Sequence, residues 1–284
     1  MTRLERNETM RLSEAKRIVV KVGTSTLTYD NGSQNLRRIE KLARVLSDLR
    51  RSGREIVLVS SGAIGVGVER LGLAERPSTT RGRQAAAAVG QCALMFTYDK
   101  LFGEYGQTVA QVLLTPDVLE DDERKQNASN TLECLLEMKV IPIVNENDTV
   151  AVEELEEHSD GHHTSFGDND SLSALVAVLC GADALLILTD IEGLYDSDPR
   201  TNPKAQLIPV VHSVDDALLN AAGGAGTSRG TGGMRSKIVA AKRATAAGVC
   251  TVILNGNQPE KIYDVLEDKP LGTLFCAGGA KGRN

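Results

Sequence analysis

The chain is constrained most by a rhythm. Short, almost purely apolar runs alternate with longer stretches of helical spacing. The runs are RIVVKVG (17–23), EIVLVS (55–60), QTVAQVLLT (107–115), VIPIVNEND (140–148), DALLILTDIEGLY (183–195) and CTVILNG (250–256). Runs so short and so continuously apolar read as strands buried on both faces. Helical patterns lie between them, at 35–52, 82–105, 124–139 and after 166. Repeated strand, crossover helix and parallel strand predict a mostly parallel sheet covered by helices on both sides. The expected class is α/β, a three-layer αβα sandwich. AQLIPVV and GTLFCA add two short strands, the last expected at an edge. No linker or internal repeat divides the chain, so residues 17–277 read as one domain. Residues 1–16 read as a loose or helical extension and 278–284 as a frayed end.

Open α/β sheets bind ligands beyond the carboxyl ends of their strands, and polar residues gather there. The first strand ends in Lys21 followed by GTST. Alone, such a lysine reads equally as a strand-end surface residue. The second strand runs into SSGAIGVG, where Ser60 or Ser61 can cap the next helix and the glycines allow close approach. Asp168, Asn169 and Asp170 precede an apolar helix. One cap accounts for one polar side chain, not three. Finally GGAGTSRGTGGMRSK (223–237) runs into a helical pattern. Flexible glycines, hydroxyls, a helix N-terminus and Lys237 one turn in can form a phosphate site, although a mobile surface loop has the same composition.

Several classes are disfavoured. There is no G-x-x-x-x-G-K-[ST] loop and no G-x-G-x-x-G after the first strand, which argues against a Walker A site and a dinucleotide-binding oxidoreductase. A net charge of −6 argues against nucleic acid as the main partner. The first sixteen residues are charged and lack the apolar core of a signal peptide, and no apolar run reaches the length of a membrane span. A cytoplasmic protein is expected, without membrane or nucleic-acid partners. Five scattered cysteines without C-x-x-C read as reduced core thiols. Three of the four histidines (His158, His162, His163) fall in a polar acidic stretch at 149–165, expected to be a surface excursion. Their spacing matches no standard metal motif, and no protein metal site is expected.

KVGTST, VSSGAIGVG, VNENDTV, FGDNDSLSA, LTDIEGLYDSDPR and GTGGMRSK occur in this order over nearly the whole chain. The ordered set resembles the amino acid kinase family, and within it the members that phosphorylate glutamate in the first step of proline synthesis. The resemblance implies an αβα fold whose amino-terminal half binds glutamate and whose carboxyl-terminal half binds ATP. It implies that Lys21 and Lys237 act on the phosphates, oriented by Asp170. Ser61, Asp148 and Asn169 match glutamate contacts. Thr189, Asp190 and the segment Thr231, Gly232, Gly233, Met234, Arg235, Ser236, Lys237 match nucleotide contacts. Mg²⁺ is the implied cofactor, accompanying ATP. A homo-oligomer (dimer or tetramer), feedback inhibition by L-proline and a glutamyl phosphate reductase as the next enzyme are implied partners. Many relatives carry a carboxyl-terminal PUA domain, and this chain ends before one could fit. The stretch containing HSDGHH looks longer than in relatives.

A side-chain carboxylate is already ionised at neutral pH. Its attack on ATP needs no general base, only in-line positioning and neutralisation of repelling charge. Asp148 would pair the α-ammonium, and Asn169 with the Ser61 region would position carboxylate oxygens. Alternatives within the fold act on N-acetylglutamate, aspartate, carbamate or UMP. An acidic Asp148 favours a free amino group. A non-catalytic nucleotide sensor is the alternative outside catalysis, and it would have no use for Lys21, Asp170 and Lys237 together.

Overall fold

The computed structural model describes residues 11–29, 31–150, 168–221 and 233–276. The apolar runs form the expected strands: β1 (Arg17–Val22), β2 (Glu55–Ser60), β3 (Val109–Leu114), β4 (Ile141–Glu146), β5 (Ala184–Thr189), β6 (Val210–Val211), β7 (Cys250–Asn255) and β8 (Thr273–Phe275). They pair in the order β3-β4-β2-β1-β5-β7-β8-β6. The six strands from β3 to β7 in that order run parallel, and β8 is antiparallel to β7. Thr273–Phe275 is therefore not at the edge. Two residues of the AQLIPVV run, Val210 and Val211, pair outside it.

Side-chain parity divides the core. Ile18, Val20 and Val22 of β1 join Ile56, Leu58, Leu186 and Leu188 on one face. That face is covered by α2 (Leu36–Arg51), α3 (Ala63–Arg70), α4 (Thr80–Glu104) and α9 (Lys261–Leu266). Val19 of β1 joins Val57, Val59, Leu185 and Ile187 on the other. There α5 (Asp122–Glu137), α6 (Asn169–Leu179) and α8 (Met234–Ala246) pack. Lys21, two residues after Val19, shares this second face. The two short helices α1 (Thr24–Leu27) and α7 (Asp216–Ala221) complete the described set.

Some local expectations need correction. Residues 12–14 form a single 3₁₀ turn, with Leu12 and Ala15 buried in the core and Ser13 Oγ donating to Asp268 at 2.6 Å. This part of the extension is thus fastened to the domain. Of the cysteines only Cys180 and Cys250 are buried, because Cys92 and Cys134 lie on the outward faces of α4 and α5. The histidine stretch and residues 278–284 lie outside the described residues.

α3 and α4 cross almost backbone to backbone. A Cβ added at Gly90 would come 1.8 Å from the Ala63 carbonyl oxygen, and one at Gly67 would come 1.8 Å from that of Ala86. These contacts admit only glycine without parting the helices. Gly90→Ala is expected to destabilise the protein by about 1–3 kcal/mol or more, the usual range for overpacking. Chemical denaturation checks this. An unchanged midpoint would mean the crossing is loose in solution.

Candidate active site

The carboxyl ends of β4, β2, β1, β5 and β7 open on one rim, and the N-termini of α6 and α8 point at the same rim. Each helix N-terminus brings unpaired N–H groups and positive dipole character. Lys21, one residue from the end of β1, lies centrally between the β4–β2 and β5–β7 sides.

At this centre a single carboxylate joins two ammonium groups. Lys21 Nζ is 2.7 Å from Asp170 Oδ1, and Lys237 Nζ is 3.0 Å from Asp170 Oδ2. All three residues are buried, with 6%, 0% and 7% exposure for Lys21, Asp170 and Lys237. Ser236 Oγ also lies 2.9 Å from Asp170 Oδ2. Burial by itself would raise the Asp170 carboxyl, but the charges of Lys21 and Lys237 overcome it and hold the group below its ordinary value of 3.8. The cluster thus carries one net positive charge, fixed in place and largely shielded from water. Lysines 216 positions apart in sequence, 21 and 237, converge on one acid.

The trio before α6 divides three tasks. Asp168 caps the helix, accepting from the Ser171 N–H at 2.8 Å. Asn169 Nδ2 lies 2.7 Å from the Ser60 carbonyl oxygen, 2.9 Å from Ser61 Oγ and 2.9 Å from Asn145 Oδ1. Asp170, one residue further, turns inward to the lysines. Neither Ser60 nor Ser61 caps α3. Gly62 occupies the cap position at φ +96°, a left-handed conformation, with no side-chain cap bond. Both serine hydroxyls are thereby free of the capping role. Ser60 Oγ instead sits 2.9 Å from the Tyr98 hydroxyl. Burial pushes that hydroxyl above its ordinary value, so it stays protonated.

Asp148 lies half-buried in the turn after β4, on the same side of β1 as Ser61 and Asn145. Thr189 and Asp190 lie on the other side, at the end of β5. Thr189 is buried and donates through Oγ1 to Asp190 Oδ1 at 3.1 Å, while Asp190 is exposed. Gly233 is the cap residue of α8, Met234 packs partly buried against the core, and Arg235 is exposed. Thr231 and Gly232 lie outside the described residues. Two site residues went unnoticed in the sequence. Asn145, 2% exposed, donates through Nδ2 to Gln91 Oε1 on α4 at 2.9 Å. An asparagine inside an otherwise buried strand was the available signal for the first. Gln91 left none.

A model of the amino acid kinase family matches residues 16–255. The chain belongs to that family. This amino acid kinase is 55% identical over 266 residues to the glutamate 5-kinase of Clostridium perfringens, covering 94% of this chain and 97% of that one. It is 51% identical to the glutamate 5-kinase of Enterococcus faecalis over 95% of this chain and 97% of the relative. Solved structures with the same fold include an isopentenyl phosphate kinase of T. acidophilum, at TM-score 0.61 and 18% identity over 91% of this chain and 99% of that one. The UMP kinase of Bacillus anthracis matches at TM-score 0.62 and 15% identity, over 93% and 96%. At such identities these two speak for the αβα fold of this amino acid kinase. No described helix is long and apolar enough to cross a membrane.

Proposed function

We propose that the protein transfers the γ-phosphoryl group of ATP to the side-chain carboxylate of L-glutamate, giving L-glutamyl 5-phosphate, the first step of proline synthesis. The observation that carries this reading is the Lys21–Asp170–Lys237 cluster at the rim of the sheet, in a chain half identical to glutamate 5-kinases. The transfer brings an anion against a triphosphate, so its barrier is charge repulsion and alignment. Two ammonium groups held on opposite oxygens of one buried carboxylate are placed before substrate arrives. They need little reorganisation as charge shifts across the phosphoryl group. The N–H groups at the start of α8 face the same space and take charge from the phosphate oxygens.

In this reading Lys21, Thr189, Asp190 and the Thr231–Lys237 segment hold the nucleotide, and Ser61, Asp148 and Asn169 hold glutamate. Strand order supports the division. Ser61, Asp148 and Asn169 lie on the β2 and β4 side of Lys21, and Thr189 and Asp190 on the β5 side. Residues 17–277 would then form one kinase domain with two functional halves. Mg²⁺ would accompany ATP and, when bound, would supply further neutralisation of phosphate charge beyond that of Lys21 and Lys237. No group of three His, Cys, Asp or Glu converges among the described residues. From the resemblance we further propose a homo-oligomer, inhibition by L-proline at the amino acid side, and glutamyl phosphate reductase as the consumer of the unstable product.

Incubation with ATP, Mg²⁺, glutamate and hydroxylamine tests this reading, and γ-glutamyl hydroxamate is the expected product. Hydroxamate from N-acetylglutamate or aspartate but not from glutamate would overturn the substrate assignment. Asp148→Ala is expected to raise the glutamate KM with little change in kcat, because it removes binding shared by ground and transition states. Steady-state kinetics with each substrate varied would contradict the two-sided site if only the ATP KM moved.

A further inference from the structure

The hydrogen-bonded chain that ends on Asn169 starts outside the rim, on α4. Gln91 Oε1 accepts from Asn145 Nδ2, Asn145 Oδ1 accepts from Asn169 Nδ2, and Asn169 Nδ2 reaches the Ser60 carbonyl oxygen. The direction of this chain is not arbitrary. A backbone carbonyl can only accept, so the nitrogen of Asn169 must face Ser60. That nitrogen has two hydrogens, and Ser60 O, Ser61 Oγ and Asn145 Oδ1 compete for them. Asn169 therefore has no hydrogen to spare for a ligand. The atom it retains is Oδ1, an acceptor, which suits an ammonium and repels a carboxylate.

We infer that Gln91 is a positioning residue for the amino acid substrate. Its oxygen anchors Asn145, Asn145 anchors the amide of Asn169, and Asn169 Oδ1 is thereby presented to the substrate's α-ammonium. This rests on glutamate binding at the rim, and it reverses the expectation that Asn169 holds a substrate carboxylate. Parity places the chain. Asn145 follows Ile141 and Ile143 by even steps, so its side chain emerges on the face that α4 covers. Gln91 follows Gly90, where α4 is pressed against the start of α3. The backbone contact that fixes the Ser61–Gly62 turn therefore also sets the Gln91 register. Removing the Gln91 oxygen leaves a buried asparagine N–H without its acceptor, and such a group seeks another conformation.

The test compares Gln91→Met, similar in length without an amide, with Gln91→Glu, which keeps an acceptor. Wild-type and variant enzymes are assayed for glutamate and ATP KM, kcat and thermal midpoint. Inhibition by glutarate, which has both carboxylates and no ammonium, is measured alongside. Gln91→Met is expected to raise the glutamate KM about tenfold, the scale of one lost buried hydrogen bond. The ATP KM and the glutarate inhibition constant should stay within about twofold. Gln91→Glu is expected to restore most of the glutamate KM. Equal weakening of glutamate and glutarate, equal effects of Met and Glu, or an unchanged glutamate KM would each overturn the inference. Absence of glutamyl hydroxamate from the wild-type protein would instead remove the underlying reading. The two failures are thus distinguishable.

Discussion

Lys237→Ala is expected to lower kcat by about a hundredfold or more, the scale for losing one preorganised transition-state donor. Lys237 lies in the first turn of α8 with its ammonium on Asp170 and within 3.4 Å of the Gly233 carbonyl oxygen. It is thus held on both sides rather than swinging in solvent. Fixed charge of this kind acts most strongly where charge moves during the reaction, so kcat should fall more than either KM rises. Lys237→Arg is not a safe rescue. A planar guanidinium does not fill the place of a compact ammonium between one carboxylate oxygen and a carbonyl. Pre-steady-state phosphoryl transfer is the proper measurement, because slow product release can mask chemistry. A variant that transfers phosphoryl at near wild-type rate would remove Lys237 from the chemistry.

Asp170→Asn is expected to damage both stability and turnover. It preserves shape but strands two buried ammonium groups without a counter-charge, and breaking a buried pair in this way costs about 3–5 kcal/mol. The pH dependence separates this from a packing defect. The folded carboxyl titrates below its ordinary 3.8. Its stabilisation is therefore whole above about pH 4 and is lost as pH falls through the lowered folded value. The wild-type protein should lose stability over that acid range, and Asp170→Asn should lose less. Denaturation midpoints between neutral and acid pH check the sign. Parallel curves would mean that the carboxylate contributes nothing through its charge.

Much of this site could be read before the fold was known, for identifiable reasons. β1 is apolar from Ile18 to Val20, so a charged side chain at Lys21 had to meet either water or a partner. The DND triplet offered more polar groups than one cap consumes, and the surplus went to the Ser60–Ser61 turn and to the lysines. The order β3-β4-β2-β1-β5-β7 was not legible, because the choice of neighbour among similar apolar strands depends on helix packing distant in sequence. The edge assignment of Thr273–Phe275 failed because the AQLIPVV strand, though legible as a strand, gives no sign of its partner, and its Val210 and Val211 pair outside Thr273–Phe275. Serine capping of α3 failed because a left-handed glycine took the position instead. Gln91 and Asn145 stayed hidden because a single amide on a helix or strand has no period of its own. Only the folded chain shows that they meet.

The central claim is that a glutamate carboxylate oxygen attacks the γ-phosphorus in the cleft of Lys21, Asp170 and Lys237. Turnover of glutamate labelled with ¹⁸O in the side-chain carboxylate, in the presence of ATP, Mg²⁺ and hydroxylamine, tests it most directly. The account predicts released inorganic phosphate that carries ¹⁸O from the carboxylate. Phosphate released without label, its new oxygen drawn from water, would contradict it.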